Sequence, residues 1–224
     1  MHGYYSQKLS AEKLRLCYEI APRRVKQYLE AEITFVLEKI GPSDLVLELG
    51  CGYGRVLQGL VSKVETVVGI DTSYASLLLA QKTVGKDPFC YLLAMNAVEL
   101  GFSNKKFDVV ICIQNGISAF KVNKQKMIEE AMRVTRSGGI VLFSSYSEQF
   151  WDDRLEWFRL QSKYGLIGDV DEDATGDGVI VCKDGFTADT ISADDFISLS
   201  SGLKIDPIIT EVDNSSLFCE IRVK

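Results

Sequence analysis

A chain of 224 residues with 46% hydrophobic side chains can bury one substantial core and is short for two independent enzymatic domains. A net charge of -6 and a sequence pI near 5.0 argue against a surface devoted to nucleic-acid phosphates, which needs clustered Lys and Arg, and favour a small-molecule partner. No apolar run reaches the roughly 18 to 20 residues that span a bilayer, and Met1-His2-Gly3-Tyr4-Tyr5 lacks the basic start and apolar stretch of a signal peptide, so a cytoplasmic location without membrane contact is expected.

In chain order, a first helix is expected from Ser10, whose hydroxyl suits an N-cap, with Leu9 and Leu14 placed for a hydrophobic staple. Ala21-Pro22 interrupts it, and a second helix follows with apolar positions at Val25, Leu29, Ile33, Val36, Leu37 and Ile40 until Gly41-Pro42. Residues 1–41 thus read as a helical cap on a domain covering 42–224. From residue 45 short apolar runs alternate with amphipathic segments: strands near 45–49, 64–70, 90–94, 107–113 and 139–146, helices near 54–62, 73–84 and 122–136. That alternation predicts an α/β fold, a mainly parallel sheet with helices on both faces and ligands outside the carboxyl ends of its strands. The core of the pattern is 45–147, and 148–224 is an extension. The extension is expected to hold a helix over 147–163, a Gly- and Asp-rich stretch from Gly165 to Gly178, strand-like Val179 to Lys183 and Phe186 to Ile191, a helix capped by Ser192, and a last strand from Leu217 to Val223. It carries 7 basic and 17 acidic side chains, read as a solvated surface; the acids from Asp169 to Asp177 read as a loop, and no metal is assigned. The six cysteines (Cys17, Cys51, Cys90, Cys112, Cys182, Cys219) form no C-x-x-C pair and read as buried free thiols.

The strongest local signal is Val46-Leu47-Glu48-Leu49-Gly50-Cys51-Gly52-Tyr53-Gly54-Arg55, an apolar strand running into glycines and then a helix. Glycine lets the backbone turn tightly and approach a ligand with no Cβ in the way. The spacing is G-x-G-x-G; a dinucleotide fingerprint starting at Gly50 would need glycine where Arg55 stands. Glu48, inside the strand end, suits an ammonium-bearing ligand better than a pyrophosphate. Asp71, closing Val67-Val68-Gly69-Ile70-Asp71, is placed to accept from both ribose hydroxyls of an adenosine moiety.

Over about residues 35–147 the chain resembles the class I S-adenosylmethionine-dependent methyltransferases, of the small-molecule, domain 11/25-like type, with motifs in the expected order. The resemblance implies a Rossmann-like, mainly parallel seven-stranded sheet with an N-terminal helical cap and extra C-terminal strands. It implies S-adenosyl-L-methionine as cofactor, with S-adenosyl-L-homocysteine as product. Glu48, Gly50, Cys51, Gly52 and Gly54 would surround the methionine end, and Asp71 with Thr72 the ribose. Asn96-Ala97 would lie at the adenine, with Asn where many members carry Asp, and Gln114-Asn115 beside the transferring methyl. The loop after Phe107 to Ile113 carries neither the Pro-Pro sequence of amino-directed nucleic-acid enzymes nor the Pro-Cys of cytosine-C5 enzymes, which fits a small N- or O-acceptor.

Methyl transfer from a sulfonium needs mainly positioning and desolvation. The only histidine is His2, at a terminus, so no catalytic base is assigned, and an amine arriving as the free base or an already ionised acceptor suits the chain better than a hydroxyl. Tyr4, Tyr5, Tyr18 and Arg23, with Arg24, lie in the helical cap, and Tyr146 and Trp151 follow the fifth strand; these are the candidate acceptor residues, the cap tyrosines also explicable by ordinary packing and the arginines by a solvent-facing position. Two other classes stay open: an S-adenosylmethionine-binding protein without catalytic activity, and a nucleotide-dependent oxidoreductase, which the glycine spacing and Glu48 disfavour.

Overall fold

The computed structural model describes Tyr4, residues 8–203 and residues 205–224. Two helices, α1 (Glu12–Glu19) and α2 (Arg23–Leu37), precede an alternating core. The core runs β1 (Leu45–Leu49), α3 (Arg55–Leu60), β2 (Thr66–Asp71), α4 (Tyr74–Val84), β3 (Cys90–Ala94), β4 (Phe107–Cys112), α5 (Gly116–Ala119), α6 (Lys124–Val134) and β5 (Thr135–Tyr146). A 3-10 turn over Glu148–Phe150 leads into α7 (Trp151–Lys163), followed by β6 (Ile180–Val181), β7 (Thr187–Ala188), α8 (Ala193–Ser201), β8 (Ile208–Val212) and β9 (Ser216–Arg222).

The seven-stranded sheet has the order β3-β2-β1-β4-β5-β9-β8; β1 to β5 are parallel and β9 lies antiparallel between β5 and β8. Strands β1 and β4 are buried on both faces, which is why they read as near-continuous apolar runs. Alternate residues still part to opposite sides. Leu47, Val68 and Val110 meet Met127, Ile128 and Phe196 of α6 and α8, whereas Val46, Val67 and Ile111 meet Ile33, Val36, Val56 and Leu57 of α2 and α3. The chain leaves β1 to one side for β2 and β3, then returns to the other side as β4. The reversal leaves a crevice at the carboxyl ends of β1 and β4.

The five core strands and the crossover helices fall where the sequence pattern predicts them, within a few residues. Four local readings change. Ser10 does not cap α1; Ala11 does, at φ 51°, with its N–H donated to Ser76 Oγ of α4 at 3.0 Å, so a tertiary contact starts this helix. Helix α2 ends at Leu37, before Gly41-Pro42. The two strands expected over 179–191 shrink to a two-residue hairpin, β6-β7, outside the main sheet. Strand β8, which the sequence reading lacks, pairs with β9 across three intervening residues, the Ser215 N–H donating to the Val212 carbonyl at 3.0 Å around Asp213 (φ 56°) and Asn214 (φ 48°), both left-handed. Ser192 does cap α8, in a reciprocal box with Asp195.

Candidate functional site

The crevice is a single cavity. Its floor is the turn after β1, where Gly50, Gly52 and Gly54 have φ of 75°, 53° and 86°, the left-handed region that only glycine enters without strain. At Gly50 a Cβ would stand 2.1 Å from Cζ of Phe120, at the end of α5, so this position is glycine for want of space as well. The turn is held by main-chain bonds: the Gly50 and Cys51 N–H groups both donate to the Ile70 carbonyl, at 2.8 and 2.9 Å.

Asp71 ends β2 with its carboxylate braced. The Gly52 N–H donates to Oδ2 at 2.9 Å and the Ser73 N–H to Oδ1 at 2.7 Å. Each oxygen keeps further acceptor capacity toward the cavity, as two vicinal hydroxyls would use. Burial raises the Asp71 pKa, opposed by these N–H groups. Thr72, Asn96 and Ala97 line the same end. The Asn96 Oδ1 already accepts from the Val98 N–H at 3.2 Å, a tight local turn that presents the amide.

Glu48 is 4% exposed and lines the cavity, and its Oε2 is buried without a hydrogen-bond partner. Burial pushes its carboxyl up to about 8, with Arg55 pulling down and Asp71 pushing up. An acceptor left unsatisfied in this way costs roughly 1–3 kcal/mol unless a ligand meets it. An ammonium group fits; a phosphate does not.

The opposite walls come from the helical cap and from α7. Tyr18 stands with its ring 5.9 Å from that of Tyr53 and 5.8 Å from that of Trp157, with the Arg55 guanidinium 5.1 Å from its own ring centre. Trp157, Phe158 and Gln161 of α7 reach the cavity, and Trp157 donates Nε1–H to the Cys17 carbonyl at 2.9 Å, clamping α7 to α1. Tyr146, at the end of β5, also lines the cavity; burial pushes its hydroxyl up to about 12, with Arg154 opposing from 4.5 Å above the ring.

The predicted site residues divide. Glu48, Gly50, Cys51, Gly52, Asp71, Thr72, Asn96, Ala97, Gln114, Tyr18 and Tyr146 border the cavity together. Gly54 lies behind the turn, packed on Ala80. Asn115 is turned away: its Nδ2 donates to the Asp189 carbonyl at 2.9 Å and its Oδ1 accepts from Ser145 Oγ at 2.9 Å, so both ends of the amide are used within the protein. Tyr4 donates to Asp184 Oδ2 at 2.5 Å and packs on Phe186, Trp151 packs in the same outer cluster, and neither lines the cavity. Arg23 is exposed on the surface. Arg24 donates to Asp213 Oδ2 and to its carbonyl, both at 2.6 Å, tying α2 to the β8-β9 turn. Tyr5 and His2 lie outside the described residues.

Sequence reasoning missed Glu32, Arg55, Phe120 and the α7 residues. Glu32 is fully buried in α2; its Oε2 accepts from the Gln114 N–H at 2.7 Å and its Oε1 from Ser216 Oγ at 2.6 Å. It holds the loop after β4, where Gln114 and Asn115 adopt φ of 57° and 60° without being glycine. An acid in the apolar stripe of α2, one helical turn after Tyr28, was the available signal. For α7 it was Trp157 and Gln161, four apart and so on one helix face.

A glycine turn after β1, an acid at the end of β2 and a sheet with one antiparallel strand inserted next to its edge together define the class I methyltransferase fold. Residues 46–139 match the family profile described as a methyltransferase domain. The chain is 34% identical over 120 residues, 52% of its length and 45% of the relative's, to a malonyl-(acyl-carrier protein) O-methyltransferase of Hamiltonella defensa. Across four curated relatives the matches span about half of the relative's length (54, 45, 50 and 56%). In fold it is similar to the PH0226 protein of Pyrococcus horikoshii (TM-score 0.65, 19% identity, 99% of this chain and 98% of that one). It is similar also to the N-methyltransferase NodS of Bradyrhizobium japonicum, solved with S-adenosyl-L-homocysteine (TM-score 0.59, 13% identity, 97% and 95%). Residues 46–139 thus match a methyltransferase-domain profile, within a chain whose fold is that of the class I methyltransferases.

Proposed function

We propose that this protein transfers the methyl group of S-adenosylmethionine to a small acceptor bound between α1, α7 and the end of β5. The observation that carries the reading is one continuous cavity with two unlike ends. One end has the glycine turn, Glu48, Asp71 and Asn96; the other is walled by Tyr18, Tyr146, Trp157 and Phe158. The cofactor supplies an activated methyl on a positive sulfur, so the protein's task is positioning and exclusion of water. Asp71 holds the ribose hydroxyls, Asn96 and Ala97 border the adenine, and Glu48 meets the ammonium group. Gln114, on the loop fixed by Glu32, faces the transfer region.

An amine that arrives unprotonated is the acceptor this cavity serves best. No histidine borders it among the described residues, and Tyr146, with its hydroxyl pushed up to about 12, stays protonated at neutral pH and orients an acceptor rather than taking its proton. The relatives act on both oxygen and nitrogen, as their names state, so the acceptor atom rests on the cavity chemistry alone. The described part of the cap, through Leu9, Leu14, Cys17 and Tyr18, closes this cavity. No described helix is long and apolar enough to cross a membrane, and the six free thiols suit the cytoplasm.

Titration of S-adenosylmethionine and S-adenosylhomocysteine into the protein, followed by a screen of small amines for methyl transfer, tests this. Micromolar binding of both, with turnover on an amine, supports the proposal; binding without turnover on any amine, phenol or carboxylic acid would leave a cofactor-binding protein in its place.

A further inference from the structure

Arg55 opens α3 and borders the cavity, yet it forms no ion pair among the described residues. Its guanidinium lies over the Tyr18 ring, and two of its nitrogens, Nε and Nη2, are buried with no hydrogen-bond partner. Those two nitrogens are the adjacent donors along one edge of the guanidinium, the pair whose parallel N–H bonds match the two oxygens of a carboxylate. The cavity holds a third buried donor without a partner, Gln114 Nε2, and one buried acceptor without a partner, Glu48 Oε2. Buried donors left unmet are costly, and a protein keeps them where a ligand completes them. Glu48 and Asp71 on the same wall disfavour a doubly charged phosphate, whereas a single carboxylate, accompanied by an ammonium for Glu48, satisfies both signs of charge.

We propose that the Nε–Nη2 edge of Arg55 binds a ligand carboxylate in bidentate fashion. The inference rests on the function proposed above and adds a ligand group to that site. Two sources offer this chemistry: the amino-acid end of the cofactor, and an acceptor that is itself a carboxylic or amino acid.

The test uses the wild-type protein with Arg55→Met and Arg55→Lys, each first shown by its thermal midpoint to be folded. Calorimetry is run with S-adenosylhomocysteine, with 5′-methylthioadenosine, which lacks the amino-acid end, and with a panel of small amino and carboxylic acids, the panel titrated with and without saturating S-adenosylhomocysteine. Loss of the charged fork is expected to weaken its carboxylate roughly ten- to hundredfold in Arg55→Met, and less in Arg55→Lys, which keeps the charge without the fork. Weaker S-adenosylhomocysteine with unchanged 5′-methylthioadenosine assigns Arg55 to the cofactor's carboxylate. Unchanged adenosyl ligands with loss of an amino or carboxylic acid assign it to the acceptor's. Equal weakening of both adenosyl ligands, or no change in any affinity, overturns the inference. If the wild-type protein binds neither adenosyl ligand, the proposed function falls; a carboxylate bound by the wild type alone and lost in Arg55→Met then still upholds Arg55, and no such binding overturns it.

Discussion

Glu48 and Asp71 are two acids at the carboxyl ends of neighbouring strands, and their surroundings give them different work. The Asp71 carboxylate is braced by two backbone N–H groups, whereas burial outweighs the charge of Arg55 at Glu48, and its carboxyl rises to about 8. Binding an ammonium requires Glu48 ionised, so below pH 8 the protein must first give up a proton. Affinity for S-adenosylhomocysteine is therefore expected to rise between pH 6 and about 8, by at most about tenfold per unit, and the rise should vanish in Glu48→Gln; a flat wild-type profile across that window would show that Glu48 does not meet the ammonium. With Asp71 on the ribose as proposed, Asp71→Ala removes both of its acceptors and should weaken the same ligand by roughly ten- to hundredfold, read by calorimetry. At Gly50, alanine would take a Cβ into the Phe120 ring at φ 75°. Gly50→Ala is expected to cost more than about 1 kcal/mol of stability in urea unfolding, and to abolish cofactor binding.

The elements that make the cavity's far walls share one apolar cluster and are tied by polar pins as well. Helix α2 is pinned to the β8-β9 turn by Arg24 on Asp213, and to the loop after β4 by Glu32 on Gln114. The first pin is partly exposed and remote from the cavity lining, so Arg24→Ala is expected to lower stability by about 1 kcal/mol, in the range of charge-assisted hydrogen bonds partly screened by solvent, and to leave S-adenosylhomocysteine affinity unchanged. The second is buried. Burial raises the Glu32 carboxyl from 4.5 to about 7, so the folded state holds a proton that the unfolded state has already released. Its contribution to stability is then largest below pH about 4.5 and declines as the pH rises toward about 7. Thermal midpoints of the wild type and Glu32→Gln should diverge across that window, the variant losing less as the pH rises; parallel curves would mean that Glu32 does not titrate there. Arg154, fully buried in α7, plays a comparable part for the extension, donating to the Gly178 and Ala188 carbonyls at 2.9 and 2.7 Å and so fixing the β6-β7 hairpin.

At the scale of the molecule, the half of the cavity proposed to hold the cofactor belongs to the sheet, and the half proposed for the acceptor to what surrounds it. A ligand that bridges the two should tie them together. S-adenosylhomocysteine at a hundredfold excess over its Kd is expected to stabilise the fold by about 2.7 kcal/mol, a rise in the thermal midpoint of roughly 5–10 °C for a chain of this size. No rise at saturating ligand would separate binding from the folded cavity described above.

Strands β1 to β5, the glycine turn and Asp71 were legible because their signals are local: a buried parallel strand is a short apolar run, and a left-handed turn needs glycine at fixed offsets. Hairpin β8-β9 escaped because Asp213-Asn214 marks its turn less plainly than an Asn-Gly would, and because β8, at the sheet edge, alternates only weakly. Asn115 and Gln114 are neighbours in sequence that the fold sends in opposite directions, one to Asp189 and Ser145, the other to the cavity. Whether Tyr18 or Tyr4 faces the cavity, and whether Arg24 or Arg55 keeps its donors unspent, depends on contacts between segments as much as 189 residues apart. The sequence by itself determined strands β1 to β5, the glycine turn and Asp71, because those rest on period and backbone conformation; only the tertiary structure decided β8 and the far walls of the cavity, because these depend on side chains brought together across the whole chain.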